Sequence, residues 1–125
     1  MAVWTHGPKT FSVASAIPLY TRVKLSSSSG TQVEAAGDNE VGIGVVCGIE
    51  QGKGTSASGD VVTVHLHNLG GTVKVIASEA FAAGATLFGA ADGEVTDTDG
   101  GSDTQIYTAL EAATADGDIV EALIA

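Results

Sequence analysis

Two histidines stand two positions apart in a β-branched run, at His65 and His67. In an extended strand, side chains at i and i+2 lie on the same face, so both imidazoles could share a metal ion. A zinc site needs three or four ligands, and residues 62–67 contain no cysteine, aspartate or glutamate to complete the set. Only an oligomer axis that gathers several copies could supply the rest. We therefore predict no resident metal and expect both histidines to be exposed or to lie at an interface.

Three aspartates lie in the glycine-bent segment Asp-Thr-Asp-Gly-Gly-Ser-Asp, at Asp97, Asp99 and Asp103. Carboxylates in such a loop supply the hard oxygen ligands that calcium prefers, but the spacing lacks the glutamate that closes an EF-hand loop. A solvated acidic loop is the preferred interpretation, with calcium as the alternative.

Residues 48–55, Gly-Ile-Glu-Gln-Gly-Lys-Gly-Thr, superficially resemble a phosphate-binding loop. Such loops cradle phosphates with backbone amides and a lysine where a helix begins. Here only three residues separate Gly48 from the Gly52-Lys53 pair, and Gly54 stands where a serine or threonine would bind magnesium. The next predicted element is also a strand. We interpret the segment as a flexible hairpin loop.

No nucleophile stands beside a general base in this sequence. Cys47 is the only cysteine, which excludes an intramolecular disulfide, and its place among the apolar positions of a strand predicts a buried small side chain. The carboxylates lie in polar loops, where raised pKa values are not expected. We therefore expect a protein that is not an enzyme and binds no cofactor.

Alternating apolar and polar residues, the pattern of β-strands, recur along most of the chain. The pattern predicts an all-β fold, a single small barrel or sandwich of about eight or nine short strands. The predicted strands cover residues 19–25, 31–36, 41–51, 62–67, 72–77, 85–88, 94–96, 105–113 and 119–124. Three glycines in the third of them indicate that this strand curves or packs against another backbone. Ser78 can cap one helical turn over residues 78–83, which Gly84 would end.

Residues 1–18 are predicted to form an extended arm, and residues 19–125 the folded domain. Pro8 and Pro18 each restrict the preceding residue to an extended conformation. Trp4 and Phe11 lie in this arm and need a surface to cover them.

Charge is distributed unevenly along the 125 residues, whose net charge is −10. The first 33 residues contain three bases and no acid, whereas the remainder contains fifteen acids and only Lys53 and Lys74, so the two parts carry +3 and −13. This balance argues against nucleic acid as a partner, because DNA affinity depends on clustered lysine and arginine. No apolar stretch approaches the roughly 18 residues needed to span a bilayer, and no signal-peptide pattern opens the chain. We expect an intracellular protein at synthesis and no membrane association.

The acid-free beginning of the chain is the predicted place of partner contact. Its aromatic and basic residues are the candidate partner-binding set, since aromatics are typical interface hot spots: Trp4, Lys9, Phe11, Arg22 and Lys24.

Several segments of the sequence occur in the same order as similar segments of a known protein family. They are residues 42–46 (Gly-Ile-Gly-Val-Val), 61–66 (Val-Val-Thr-Val-His-Leu), 71–75 (Gly-Thr-Val-Lys-Val), 83–87 (Ala-Gly-Ala-Thr-Leu) and 109–120 (Ala-Leu-Glu-Ala-Ala-Thr-Ala-Asp-Gly-Asp-Ile-Val). Over residues 19–124 the chain resembles the head decoration, or cement, proteins of tailed bacteriophages. It departs from that pattern at Tyr107-Thr108, where the family usually has an apolar residue and glycine, and in its longer N-terminal segment.

The resemblance implies a compact β-barrel or sandwich protein that forms a homotrimer on the outer surface of the virion. There it would bridge and stabilise neighbouring major capsid proteins. An acidic body suits an outer position, because the packaged DNA lies inside and an acidic exterior limits non-specific adhesion.

Two other hypotheses stay open at this stage. A carbohydrate- or cell-surface-binding β module displayed on a particle would need an exposed aromatic patch, and the chain has only six aromatic residues. A small hydrolase or metal enzyme would need the histidine pair or the aspartate loop to bind a metal ion.

Overall fold

The computed structural model describes residues 7–26, 31–49, 54–101 and 103–125. These residues form ten strands, which confirms the all-β prediction. The strands are β1 (Lys9–Val13), β2 (Arg22–Leu25), β3 (Gln32–Ala35), β4 (Gly44–Ile49), β5 (Val61–Leu66), β6 (Thr72–Ile76), β7 (Thr86–Gly89), β8 (Val95–Thr96), β9 (Tyr107–Ala109) and β10 (Ile119–Ile124). In the part of the chain that the structure describes, two 3-10 turns, His67–Leu69 and Ala91–Gly93, lie between the strands. Within the described ranges no helix is long and apolar enough to cross a bilayer.

The first five strands close into a barrel in the order β1-β3-β2-β4-β5. Strand β1 closes it, because it pairs in parallel with β3 and antiparallel with β5, where Phe11 is opposite Val62. Alternate side chains of each strand point into the barrel and form one hydrophobic core, as the period-two pattern requires. This core contains Phe11, Val13, Ile17, Val23, Val33, Val46, Val62 and Val64.

The last five strands form a curled sheet in the order β6-β10-β9-β7-β8. An isolated parallel bridge between Ala77 and Val95 joins its two ends. The sheet encloses a second hydrophobic core, to which β4 of the barrel contributes Val45 and β9 contributes the fully buried Tyr107. The barrel and the sheet therefore share a packed boundary.

The predicted arm over residues 1–18 overlaps the barrel. Residues 9–13 are β1, and Ile17 and Pro18 are held further along by backbone contacts with Ser56 and Thr55. The apolar surface that Phe11 needs is the interior of the barrel, where the ring is 8% exposed. Residues 1–6, the first part of the predicted arm, lie outside the described residues.

The helical turn predicted over residues 78–83 is wrong. The Ser78 hydroxyl donates to the carbonyl of Val95 rather than capping a helix. Phe81 is buried and exchanges two backbone hydrogen bonds with Ala113, so the segment is held as a bend with an extended bridge. Pairing that buries an aromatic ring prevails here over a local capping preference.

The glycines of β4 and of the segment before it confirm the prediction of close backbone packing. A Cβ atom at Gly44 would clash with the carbonyl oxygen of His65 on the neighbouring strand. The predicted burial of Cys47, in contrast, is wrong, because a register shift between Val46 and Gly48 breaks the alternation and leaves its side chain exposed.

Candidate functional site

The five predicted partner-binding residues do not form one surface. Lys9 is exposed on β1, with its Nζ atom 5.8 Å from the centroid of the Phe11 ring. Phe11 itself belongs to the barrel core, and Trp4 lies outside the described residues. In the described part of this set, Lys9 is therefore the residue best placed to meet a partner.

Arg22 is the largest fully buried side chain of the described residues, with 0% exposure. Its Nε atom donates to the carbonyl of Glu94 at 2.9 Å, and Nη2 donates to Ala90 at 2.8 Å and to Gly37 at 3.2 Å. Nη1 donates to the carbonyl of Glu40. We call Arg22 and these four acceptor residues the Arg22 joint, because they connect β2 of the barrel to loops beside β3, β7 and β8. Arg22 is therefore an internal structural residue, and its prediction as a surface contact is wrong.

The physical reason is that β2 is covered on both sides. Val23 points into the barrel core, while Arg22 points to the opposite face, which the 3-10 turn Ala91–Gly93 covers. Gly93 has a φ of +74°, and a Cβ atom there would lie 2.7 Å from the Arg22 carbonyl oxygen. At Gly89 a Cβ atom would lie 2.9 Å from Nη2. Burial lowers the pKa of Arg22, but a guanidinium stays protonated in proteins, so the joint holds a buried positive charge.

Lys24, the next base on β2, pairs with the carboxylate of Glu40 at 2.9 Å. The hydrogen bond between them raises the pKa of Lys24 and lowers the pKa of Glu40, whose Oε1 atom also accepts the amide of Gly37. Both side chains are well solvated, so the pair contributes little to stability. The ammonium group of Lys24 is thus already paired with a carboxylate of the same chain.

The two histidines contact different partners. His67 begins the 3-10 turn after β5, where its Nε2 atom lies 2.6 Å from the hydroxyl of Tyr107 and its ring meets that of Tyr107 edge to face. Burial, with a smaller effect from the charge of Arg22, lowers the pKa of His67 to about 4, so the ring is neutral at pH 7. His65 instead lies with Nε2 3.0 Å from the carbonyl of Gly70. Both side chains are half-buried, so neither ring is fully exposed, and the alternative that they lie at an interface stays a prediction.

The aspartate loop uses its carboxylates on its own backbone. Asp99 accepts the amides of Gly101 and Asp103, and Asp103 accepts the amide of Gly100. Asp97 lies beside Glu79, and the hydrogen bond with that carboxylate raises the pKa of Asp97. Across the described ranges, no group of three or more metal-ligating side chains is assembled. Residues 50–53 lie outside the described residues, so the hairpin-loop interpretation of the phosphate-loop-like segment stays a prediction.

A groove of about 160 Å³ lies at the boundary between the barrel and the curled sheet. Cys47 and His65 line its barrel side, and Thr72, Val73 and Lys74 of β6 line its other side. Partial desolvation by the walls of the groove raises the pKa of the exposed Cys47 thiol, so this cysteine is mostly protonated at neutral pH.

The outward side of β6, β10 and β9 carries mainly aliphatic and threonine side chains. Cross-strand pairing places Ile76 opposite Ile119, and Lys74 opposite Glu121. Leu123 is opposite Thr72 of β6 on one side and opposite Thr108 of β9 on the other. Directly after β9, the amide of Leu110 donates to the carbonyl of Glu121. We call this surface the sheet face, and define it as Thr72, Lys74, Ile76, Thr108, Leu110, Ile119, Glu121 and Leu123.

Three large apolar side chains of the sheet face are exposed: Ile119 at 52%, Leu110 at 44% and Leu123 at 42%. The predicted partner-binding set does not include them. A signal was present in residues 119–124, where apolar residues occupy both faces of the strand. That pattern is typical of a strand with a covered surface on either side.

No family model matches the chain, and no curated protein matches it. Among solved structures, the chain is similar to the head fiber gp8.5 N base of bacteriophage phi29, with a TM-score of 0.74 and 23% sequence identity. The similarity covers 94% of this chain and 92% of that chain. The two chains therefore share a fold over nearly their whole lengths.

Proposed function

We propose that this chain is a non-enzymatic structural protein of a bacteriophage head, which binds the outer surface of the capsid as a trimer and stabilises contacts between major capsid proteins. The similarity in fold to the base of a phage head fiber, which extends over 94% of this chain, carries the proposal. The sequence resemblance of residues 42–46 and 109–120 to head decoration proteins points in the same direction.

The charge distribution supports an outer position. The chain after residue 33 carries −13, and the described carboxylates lie mainly at exposed or half-exposed positions. Packaged DNA would repel such a surface, and an acidic exterior limits non-specific adhesion to other polyanions. The exposed base Lys9 stands near the start of the described chain, in the part of the sequence that contains no acid. We propose that the segment containing Trp4 and Lys9 contacts the capsid.

Stabilisation of the capsid would follow from mass action. A protein that binds the assembled shell and not its separated subunits shifts the equilibrium towards the shell. A trimer multiplies three weak contacts through a high effective concentration, so no single contact has to be strong.

The carbohydrate-binding alternative receives no specific support from the five aromatic residues that the structure describes. Phe11, Phe81, Phe88 and Tyr107 are all buried, and Tyr20 packs partly against the second core. These rings contribute to core packing rather than to an exposed platform for sugars.

Capsid binding can be tested with heads assembled without this protein. Purified protein should co-sediment with such heads, saturate at a copy number divisible by three, and raise the temperature at which the heads release DNA. Trp4→Ala and Lys9→Ala should each weaken binding, whereas Lys53→Ala, which removes a base outside the acid-free segment, should not. If the wild-type protein does not bind these heads at any concentration tested, the proposed function is wrong.

A further inference from the structure

We propose that the sheet face is the surface through which copies of this chain contact one another. This refines the trimer of the proposed function by naming its contact surface, and it can be tested without capsids. The face lies on the outside of the curled sheet, while Val73, Val75, Val120 and Ala122 on the same strands point into the second core. The strands β6 and β10 therefore carry apolar residues on both sides.

The charge of the chain favours this face for contact with a second copy. Each chain carries −10, so two copies repel one another when acidic surfaces meet. The eight residues of the sheet face carry one base, Lys74, and one acid, Glu121, and are neutral as a set. Glu111 borders the face, where its carboxylate accepts the amide of Glu121. Contact through a neutral apolar face is the arrangement that brings two copies together with the least repulsion.

Lys74 and Glu121 also give the face the two halves of an ion pair. They are opposite one another on neighbouring strands, so a facing copy presents an acid to each base and a base to each acid. A partner of a different kind that recognised this chain by charge would meet the acidic remainder of the surface instead.

The size of the face sets the expected strength of the contact. Eight outward positions on three strands, spaced about 4.8 Å across and about 6.7 Å along the sheet, cover roughly 260 Å². A standard stable interface buries about 800 Å² on each partner. The flanking loops add some area, and we expect self-association in the micromolar range rather than a permanent oligomer.

Sedimentation equilibrium tests the proposal on the full chain, from about 5 µM to about 500 µM, where contacts of this size dissociate. We expect the wild type to associate within this range. The double variant Ile119→Glu with Leu123→Glu should lower the association constant at least about tenfold, because it puts like charges in the contact. Ile119→Thr with Leu123→Thr keeps β-forming residues without added charge and should weaken association in the same direction.

Leu25→Glu with Val61→Glu is the matched control. These two side chains are 50% and 39% exposed on the barrel, and their replacement adds the same charge away from the sheet face. The control should associate like the wild type. A wild type that stays monomeric to about 500 µM, or face variants that associate as the wild type does, would overturn the proposal.

The same variants separate this proposal from capsid binding. Face variants that associate normally but lose binding to heads would assign the face to the capsid protein, which refutes the contact between copies and leaves the proposed function intact. A wild type that associates through the face and yet does not bind heads would refute the proposed function alone.

Discussion

Replacing Arg22 by methionine tests how strongly the Arg22 joint stabilises the fold. Methionine fills most of the space of the arginine stem but has no donor. The carbonyls of Gly37 and Glu94 would each keep a backbone donor, from Glu40 at 3.2 Å and from Ala90 at 2.9 Å. The carbonyls of Glu40 and Ala90 would lose the donor that the structure shows for them. The variant thus leaves one buried acceptor, at Ala90, and one half-buried acceptor, at Glu40, without a partner.

The expected loss follows from this count. A buried acceptor without a partner costs about 1–3 kcal/mol, so the two together cost at most about 2–6 kcal/mol. Removal of the guanidinium offsets part of this, because a buried charge no longer has to be desolvated on folding. We expect Arg22→Met to lower the free energy of unfolding by about 3 kcal/mol. That is a large share of the roughly 5–15 kcal/mol that stabilises a typical domain.

Urea denaturation measures this loss directly. With a slope of about 2 kcal/mol per molar urea, the midpoint should fall by about 1.5 M. Arg22→Lys keeps the charge but has fewer donors, so its urea midpoint should lie between those of the wild type and Arg22→Met. Lys24→Met, on the same strand, should leave the midpoint nearly unchanged. A midpoint for Arg22→Met within about 0.5 M of the wild type would show that the joint does not hold the barrel and the sheet together.

Three further predictions concern glycine packing, acid stability and the exposed thiol. Gly93→Ala should cost more than the about 1–2 kcal/mol of a left-handed backbone, because its Cβ would also strike Thr21. At Gly84, where φ is +86° and an added Cβ would enter open space, the change to alanine should cost only the strain of the left-handed backbone. Equal urea midpoints for Gly93→Ala and Gly84→Ala would contradict the packing argument. Because the pKa of His67 falls from 6.5 to about 4, the unfolded chain binds more protons between these values. Stability is therefore lost as the pH falls through this window, and His67→Gln should flatten that part of the urea-midpoint profile; an unchanged profile would contradict it. Cys47 should react with a maleimide in the folded protein, faster as the pH rises above 8 because its pKa is raised; labelling that requires urea would show the thiol to be buried.

The alternation of residues predicted most of the strands because it reports burial on one side. It failed at β2, where Arg22 and Val23 are both buried, since a polar residue in an alternating pattern indicates water only when nothing covers that face. It also failed at Cys47, because a bulge changes which residues face inward without changing the local composition. Neither event is visible within a window of a few residues.

The sheet face and the Arg22 joint differ in how much of each could be predicted from the sequence. Residues 119–124 show apolar side chains on both sides of β10, so a second covered face could be predicted for this strand. That β6 and β9 are its neighbours in the sheet could not be predicted. The Arg22 joint could not be predicted at all. Its acceptors lie between 15 and 72 residues away along the chain, and backbone carbonyls carry no sequence signature.

The Arg22 joint and the sheet face are connected through the curled sheet. The joint holds the loop between β7 and β8 against the barrel, and the same sheet presents the proposed contact between copies on its outer side. Weak contacts multiplied by symmetry require each copy to hold its surfaces at fixed relative positions, because any flexibility between the surfaces costs conformational entropy at every contact. A buried arginine with four backbone acceptors on loops of both halves provides that rigidity. Arg22→Met protein that still folds should therefore self-associate more weakly than wild type, although it leaves the sheet face itself unchanged.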